Sequence, residues 1–325
     1  MTSPVLRLMR DKRTMGFKIE GTPYTKETLV AADYGHAAYK IEYTKDIESY
    51  ARKIARGDMS WDTAISGRQK ISVKFSVDVY SGGTVTTPPR YFEMLRCCKM
   101  RQSAHGATGI SIATHGDENR VPATIEIVEP QEGTTPKQLV IAASGCMGNA
   151  NLVLDNVGLP MRIDFEFQGV LDSISTRAYA SIITPSSFDT NIPTAVLSVT
   201  VSLFATTQYL GGFNVNLNNT VEVYSDPAKS QGFEGARVVA SHPTMAIDPD
   251  MLVTDDVNWL TRQTGNTTGA VSVGIGSNLV MSAPAAQVVE SNPGEREGHS
   301  TDALNLELQR SSGNDELELL QGSKT

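Results

Sequence analysis

The sequence predicts a mainly β fold with short helices, arranged as a β-sandwich or barrel and internally duplicated. First, residues 163–168 (IDFEFQ) alternate strictly between apolar and polar, and residues 304–309 (LNLELQ) repeat the pattern. This period of two places the apolar side chains on one face of a strand and the polar ones on the other. Second, Val, Ile, Thr, Ser and Gly recur in short runs, whereas long helical patterns are scarce. Two such strands indicate a duplicated β unit whose polar faces look onto a common aqueous space.

The composition is that of an ordinary globular protein, with 40% hydrophobic and 20% charged residues among 325. A chain of this length can form two domains or one large β protein. It contains no run of about 18 apolar residues, so we expect no membrane insertion. Residues 1–13 are basic but lack the apolar core of a signal peptide, and we therefore expect assembly in a cytoplasm.

The net charge of −8 is unevenly distributed along the chain. Residues 1–101 hold 18 Lys and Arg against 11 Asp and Glu, whereas residues 102–325 hold 10 against 25. One interpretation is an uneven solvated surface. The other is head-to-tail self-association, in which a basic face of one copy meets an acidic face of the next. Specific nucleic-acid binding is disfavoured because it requires a concentrated cationic footprint.

The residues that usually carry catalysis or bind metals form no convincing pattern. The histidines are scattered, no GxSxG-like turn presents a serine, and no CxxC or Cys/His spacing suggests zinc. The three thiols, Cys97, Cys98 and Cys146, are predicted to be buried small hydrophobes. We therefore expect no enzyme activity, no cofactor and no metal.

Residues 1–38 show no strong period and are predicted to form an extended N-terminal arm. A first β domain is predicted over residues 39–170 and contains a charged loop at 50–67. A helix at about 89–100 is expected to pack Phe92 and Leu95 into the core. The strands of this domain are predicted at 39–49, 71–79, 121–128, 138–143, 151–155 and 161–169.

Residues 171–210 are predicted to be a linker followed by a connecting strand, and residues 211–325 a second β domain. A short helix is expected after Asp255-Asp256, with Trp259 and Leu260 packing into the core. Strands are predicted at 213–217, 221–223, 237–247, 270–275, 286–289, 303–309 and 315–320, with a polar loop at 290–300. Both halves thus share one order of elements, which supports duplication.

Several short segments occur in a characteristic order over residues 16–320. They are the basic strand 68–73 (RQKISV) leading to Val79, 87–89 (TPP) with a helix ending in 94–98 (MLRCC), 145–149 (GCMGN), 165–169 (FEFQG), 217–221 (LNNTV) and 315–317 (DEL). This order resembles that of the tail tube (major tail) proteins of long-tailed bacteriophages.

The resemblance implies a structural protein of the virion tail that forms stacked rings around a lumen for viral DNA. It implies six tube domains per ring, hence a homotrimer if the chain is duplicated and a homohexamer if it is not. The arm 1–38 and the loop 50–67 would then contact neighbouring rings, and tail tape-measure and tail-terminator proteins would be partners. DNA would be only transiently and non-specifically close. The candidate lumen-facing residues are Asp164, Glu166, Gln168, Asn305, Glu307 and Gln309.

Two other functions remain open from the sequence. A β-sandwich adhesin or receptor-binding protein would present an exposed aromatic-rich patch, and aromatic residues make up only 6% of the chain. A carboxylate-based hydrolase would use Asp164 and Glu166, which share one strand face as a glycosidase pair can. The same spacing is ordinary on any solvent-facing sheet.

Overall fold

The computed structural model describes residues 8, 12–52, 62–82, 84, 86–105, 109–115, 121–131, 137–178, 193, 195–197, 199–251, 258–275 and 279–322. Strands hold 65% of the described residues and helices 7%, so the predicted mainly β fold with short helices is confirmed. All strand pairings among these described residues are antiparallel.

The first half contains β1 Thr14–Ile19, a 3-10 turn Ala31–Tyr34, β2 Ala38–Arg52, β3 Asp62–Asp78, α1 Tyr91–Arg96, β4 Met100–His105, β5 Gly109–Thr114, β6 Ala123–Pro130, β7 Lys137–Leu154 and β8 Arg162–Ala178. The second half contains β9 Val199–Leu203, β10 Thr206–Gln208, β11 Leu210–Asn216, β12 Thr220–Ser225, β13 Phe233–Ala240, β14 Thr244–Pro249, α2 Trp259–Thr264, β15 Thr268–Ile275, β16 Leu279–Arg296, β17 His299–Gln309 and β18 Glu318–Gly322.

The two halves repeat one sheet topology. Hydrogen-bonded neighbours run in the order β1-β6-β7-β8-β3-β2 in the first half and β9-β15-β16-β17-β14-β11 in the second. In both halves a short helix separates the third and fourth strands of the repeat. The hairpins β4–β5 and β12–β13 and the short strands β10 and β18 are additions to this plan.

The strand register repeats as well. Asp164 in β8 pairs with Ser76 in β3, and Asn305 in β17 pairs with Ala246 in β14. The neighbouring pairs follow in step: Ile163–Val77 with Leu304–Ile247, Phe165–Phe75 with Leu306–Met245, and Glu166–Lys74 with Glu307–Thr244. The matched positions also share their burial, since Val77 and Ile247 are both buried, as are Phe75 and Met245. Because a slip of one residue would exchange the two faces, the alternating strands hold equivalent positions in the two units.

The two units are joined edge to edge rather than by a separating linker. Strand β11 of the second unit pairs with the C-terminal part of β7 of the first, so both units belong to one 16-stranded sheet. One cluster of buried apolar side chains extends through both halves. Strand β18, near the C-terminal end, pairs with β5 of the first half as well as with β16. The two predicted domains therefore share a sheet and a core.

Several predicted boundaries are wrong. Within the arm 1–38, residues 14–19 form β1, a strand paired with β6. The linker prediction is wrong at its start, because β8 continues to Ala178. The strand predicted at its end is present as β9, but β9 and β10 belong to the second unit rather than connecting two domains. Residues 53–61 and 179–192, which fall in the predicted loop and linker, lie outside the described residues.

Within the described residues, two predicted loops are largely strands, and one predicted strand is divided into two. The described parts of the loop 50–67 extend the β2–β3 hairpin, and the polar loop 290–300 is largely β16 and β17. Both faces of these strand segments are largely exposed, so no apolar alternation marks them in the sequence. The strand predicted at 237–247 is interrupted at 241–243, where Pro243 offers no backbone N–H. The hairpin β4–β5 was not predicted.

The two short helices bury most of the residues assigned to their core faces. Phe92 and Leu95 of α1 are fully buried and Trp259 of α2 is 5% exposed, whereas Leu260 is 65% exposed. The prediction for Leu260 is wrong because adjacent helical residues point about 100° apart, and Trp259 already faces the core. Asn258 caps α2 by accepting from the Thr261 N–H at 2.9 Å; Asp255-Asp256 lies outside the described residues.

Candidate functional site

The candidate site is the solvent-facing side of the sheet that runs through β2, β3, β8, β7, β11, β14, β17 and β16; we call it the polar face. The predicted alternation is confirmed here, because Ile163, Phe165 and Phe167 are buried while Asp164, Glu166 and Gln168 are half-buried or exposed. In β17, Leu304, Leu306 and Leu308 are buried, and Asn305, Glu307 and Gln309 are partly or fully exposed.

Strand pairing makes the polar face continuous across the two units. Cross-strand partners point to the same side of a sheet, so a chain of register pairs traces one row of side chains. Starting from Asp164, the row passes through Asn151, Asn216, Thr244 and Glu307. Further pairs extend it to Ser76 and Tyr39 at one end and Gln287 at the other. The pairing of Asn216 with Thr244 carries the row from β11 to β14. Since alternate residues of a strand share a face, Glu166 and Gln168 lie beside Asp164, and Asn305 and Gln309 beside Glu307, so the six predicted residues belong to one surface.

The polar face mixes acidic and basic groups within the first unit. Lys74 Nζ lies 3.0 Å from Glu166 Oε1, and Arg162 Nε lies 3.3 Å from Asp164 Oδ2. Ser76 Oγ donates to the other Asp164 oxygen at 2.6 Å. Glu166 is 48% exposed and Lys74 58%, so solvent screens their attraction. The two carboxylates of the hydrolase hypothesis therefore each have a polar partner already.

The second unit carries a carboxylate whose acidity is strengthened by amides. Asn305 donates to Glu290 Oε2 at 2.6 Å, and Asn292 donates to Glu290 Oε1 at 2.8 Å. These hydrogen bonds hold the pKa of Glu290 below its usual value, the Asn305 bond having the larger effect. His242 lies 3.7 Å from Glu307. Glu290 therefore adds a stable negative charge to the polar face at neutral pH.

Amide side chains hold the two units together at the β7–β11 joint. Asn149 Nδ2 donates to Asn216 Oδ1 at 2.9 Å, and the Asn219 N–H donates to Asn149 Oδ1 at 3.0 Å. Asn219 Nδ2 reaches the carbonyls of Cys98 and Gly148 at 2.8 and 3.1 Å. Neutral amides can satisfy buried backbone groups without adding charge. The joint is thus specified by hydrogen bonds as well as by the strand ladder.

Two shallow recesses lie on this side of the protein. One, of 490 Å³, is lined by Lys40, Glu42, Lys74, Glu166 and further polar residues of the first unit. The other, of 510 Å³, lies where β7, β11 and β14 meet. There Arg296 donates to Asp248 Oδ2 at 3.0 Å. Both are open grooves of the sheet surface rather than enclosed pockets.

Among the strands that carry the polar face, two have an open edge within the described part of the chain. At one end β2 pairs with β3 alone. At the other end residues 290–296 of β16 pair with β17 alone. These strands are the equivalents of β11 and β7, the two strands that pair with each other at the internal joint. Exposed edges of this kind can accept another strand.

The scattered histidines and the cysteines lie outside the row of polar-face residues. Of the histidines, His105 ends β4, and His115 Nε2 lies 3.1 Å from Arg101 Nη1. All three cysteines are buried, and burial raises the pKa of each thiol well above its usual value. In the described part of the chain, no cluster of three metal-ligating side chains is present.

Sequence reasoning missed several residues of the polar face, notably Ser76, Asn151, Asn216, Thr244, Gln287 and Glu290. Asn214 and Asn216 alternate with Phe213 and Val215, so their strand face was readable from the sequence. That they share a surface with Asp164 depends on the β7–β11 pairing. Alternation gives the face of one strand but not its neighbours.

Neither a known protein-family model nor a curated protein sequence matches this chain. Among the described residues, no helix has the length and apolar character needed to cross a lipid bilayer. The fold and the candidate site together define a class: a tandem antiparallel β protein with one continuous polar sheet face, whose two open edges are equivalents of the two strands that pair at the internal joint.

Proposed function

We propose that the protein is the structural subunit of a phage tail tube, which assembles into stacked rings around a polar lumen. The observation that carries the proposal is the internal β7–β11 joint, in which one unit already continues the sheet of the other. A third unit can be added by the same kind of joint, because equivalents of both strands lie at the open edges. Repetition of a heterologous joint closes a ring when the rotation per unit divides a full turn.

The number of copies follows from the duplication together with the family resemblance. Each chain supplies two units with one topology. A ring of six units then requires three chains, so we propose a homotrimer rather than a homohexamer. Closure also removes both open edges, which would otherwise invite uncontrolled pairing.

The polar face is the proposed lining of the lumen. Its carboxylates include Asp164, Glu166, Glu290 and Glu307, against Lys74 and Arg162 as neighbouring cations. DNA is held by proteins mainly through cations that neutralise phosphates. A lining that is polar and net acidic therefore disfavours retention of DNA. Tail tape-measure and tail-terminator proteins, the virion tail and assembly in a host cytoplasm belong to the same proposal.

The first test is negative-stain electron microscopy of the purified protein, with native mass measurement on the same sample. We expect hollow tubes or rings whose mass equals three chains. A matched variant, Asp164→Asn with Glu166→Gln, should assemble equally well because both side chains keep their shape and neither lies in the proposed contact between copies. A chain that stays monomeric when concentrated would overturn the proposal and favour the adhesin.

The lumen assignment has a separate test. Preassembled tubes of the wild-type chain should not retain linear double-stranded DNA, whereas tubes of an Asp164→Lys, Glu166→Lys variant should retain it in a salt-sensitive way. The same double change at the exposed pair Glu295 and Glu297, which lie at the β16–β17 turn, is the control. Equal retention by both variants would show that the polar face does not line the lumen.

A further inference from the structure

We propose that neighbouring copies join by pairing β2 of one chain with residues 290–293 of β16 of the next, in the register of the internal joint. This inference rests on the proposed function and specifies its lateral contact. The occupant of each open edge is a second copy of this chain, presenting the complementary edge. The internal joint β7–β11 is the template, since it shows how an edge of one unit meets an edge of the other.

The template has a defined hydrogen-bonding pattern. Val215 in β11 lies opposite Leu152 in β7. On one side the Leu217 N–H donates to the Ala150 carbonyl at 3.1 Å, and on the other the Val157 N–H donates to the Gly211 carbonyl at 2.9 Å. The odd-numbered residues of β11 therefore turn their backbone groups toward β7. The even-numbered residues Asn214 and Asn216 form the non-hydrogen-bonded pairs, whose side chains come closest.

Because the two units share one strand register, each residue of the internal joint has an equivalent at an open edge. Through β3 and β14, Tyr39 is equivalent to Asn214 and Glu42 to Asn216. Lys40, with φ of 53°, is the extra residue of a bulge, and Ile41 is then equivalent to Val215. Through β8 and β17, the residues Asn151, Leu152 and Val153 are equivalent to Glu290, Ser291 and Asn292. The transferred pairs are Tyr39–Asn292, Ile41–Ser291 and Glu42–Glu290.

An independent contact shows that the β2 edge presents the backbone group that this register needs. Val215, the equivalent of Ile41, turns its backbone toward β7 in the template. In the single chain the Ile41 carbonyl accepts a hydrogen bond from Arg13 Nη1 at 2.6 Å. The Ile41 carbonyl is therefore not used in the β2–β3 ladder and is available on the open side of β2, where the next copy's strand would lie. A carbonyl oxygen has two lone pairs and can accept both donors.

The opposite edge, in β16, contains a proline that limits strand pairing. Pro293 in β16 is equivalent to Leu154, which faces β11 at the template joint. Proline cannot donate a hydrogen bond and is confined to strand edges. Pro293 therefore removes one donor from this edge for any incoming strand, whereas the Ile41–Ser291 pair does not use that donor. The register also places two carboxylates, Glu42 and Glu290, opposite each other, which weakens the joint and gives a direct test.

The register is tested by disulfide cross-linking of assembled protein. Tyr39→Cys with Asn292→Cys should form interchain disulfides on mild oxidation, as should Glu42→Cys with Glu290→Cys, because these pairs bring Cβ atoms within about 5.5 Å. The controls combine the same four positions out of register: Tyr39→Cys with Glu290→Cys, and Glu42→Cys with Asn292→Cys. In each control the second cysteine lies two residues along β16 from the position that the proposed register requires. The native cysteines are all buried and should form no disulfide under these conditions. Non-reducing gels should show covalent multimers in the matched pairs alone.

A charge cycle tests the same register without cysteines. Glu290→Lys should lower the critical concentration for assembly by about fivefold, because a repulsive cross-strand pair becomes an attractive one. Glu42→Lys should do the same, and the double variant should lose the gain because two lysines then face each other.

The outcomes separate the two proposals. Tubes that form but cross-link equally in matched and mismatched pairs, or not at all, would overturn the register and leave the tube function standing. If the effects of Glu42→Lys and Glu290→Lys on the critical concentration simply added in the double variant, the register would likewise be overturned and the tube function would stand. A wild-type chain that never assembles would overturn both.

Discussion

The tight approach of Gly145 to Gly235 allows a stability prediction with an internal control. Gly145 lies at a bulge in β7 with φ of 59°, and its N–H donates to Glu20 at 2.7 Å. A Cβ at this position would lie 2.8 Å from the Cα of Gly235 in β13. Carbon atoms in contact normally lie about 3.5–4.0 Å apart. The substitution Gly145→Ala therefore forces the β12–β13 hairpin away from the first unit.

The expected magnitude has two parts. A left-handed backbone costs a residue other than glycine about 1–2 kcal/mol. Overpacking against the backbone of β13 costs about 1–3 kcal/mol more. Gly145→Ala should therefore lower the free energy of unfolding by about 2–5 kcal/mol. Gly158→Ala is the control, because Gly158 has φ of 99° and a Cβ there would meet no atom within 4 Å.

Guanidinium unfolding followed by circular dichroism measures both variants against the wild-type chain. We expect Gly158→Ala to lose about 1–2 kcal/mol, since only the backbone term applies. The difference between the two variants then isolates the contact between the units. If Gly145→Ala were no more destabilising than Gly158→Ala, the close packing of β13 on β7 would be refuted.

Three further predictions concern buried polar groups and thiols. Arg13→Met should lower the free energy of unfolding by about 3–5 kcal/mol in chemical denaturation, because Glu129, 6% exposed, loses its ion-pair partner; a loss below about 1 kcal/mol would contradict this. Burial raises the pKa of Glu20, so its stabilising contribution is greatest at acid pH, where the carboxyl is protonated, and declines as pH rises above its unfolded-state pKa. Unfolding curves from pH 4 to 8 should show this decline in the wild type but not in Glu20→Gln, and parallel profiles would count against it. Finally, a thiol reagent should modify no cysteine of the native chain but all three after unfolding, and rapid native labelling would disprove burial of Cys97, Cys98 and Cys146.

The short-range predictions succeeded where side-chain pattern and burial agree. The alternation at 163–168 and 304–309 correctly separated buried from wet residues, because both strands have one apolar and one polar face. Prediction failed for residues 290–296, which form a strand with little burial on either face. It also failed for Leu260, since a six-residue helix is too short for periodicity to identify its buried face.

Sequence alone determined the fold class, the two equivalent strands and the side of each strand that faces water. These properties depend on residues a few positions apart, so the alternation of apolar and polar residues in the sequence is enough to predict them. Tertiary structure alone decided which strands are neighbours: that β11 pairs with β7, and that β2 and the end of β16 remain at the edges. Antiparallel partners can be separated by any length of chain, so strand neighbourhood is a long-range property that no local pattern encodes.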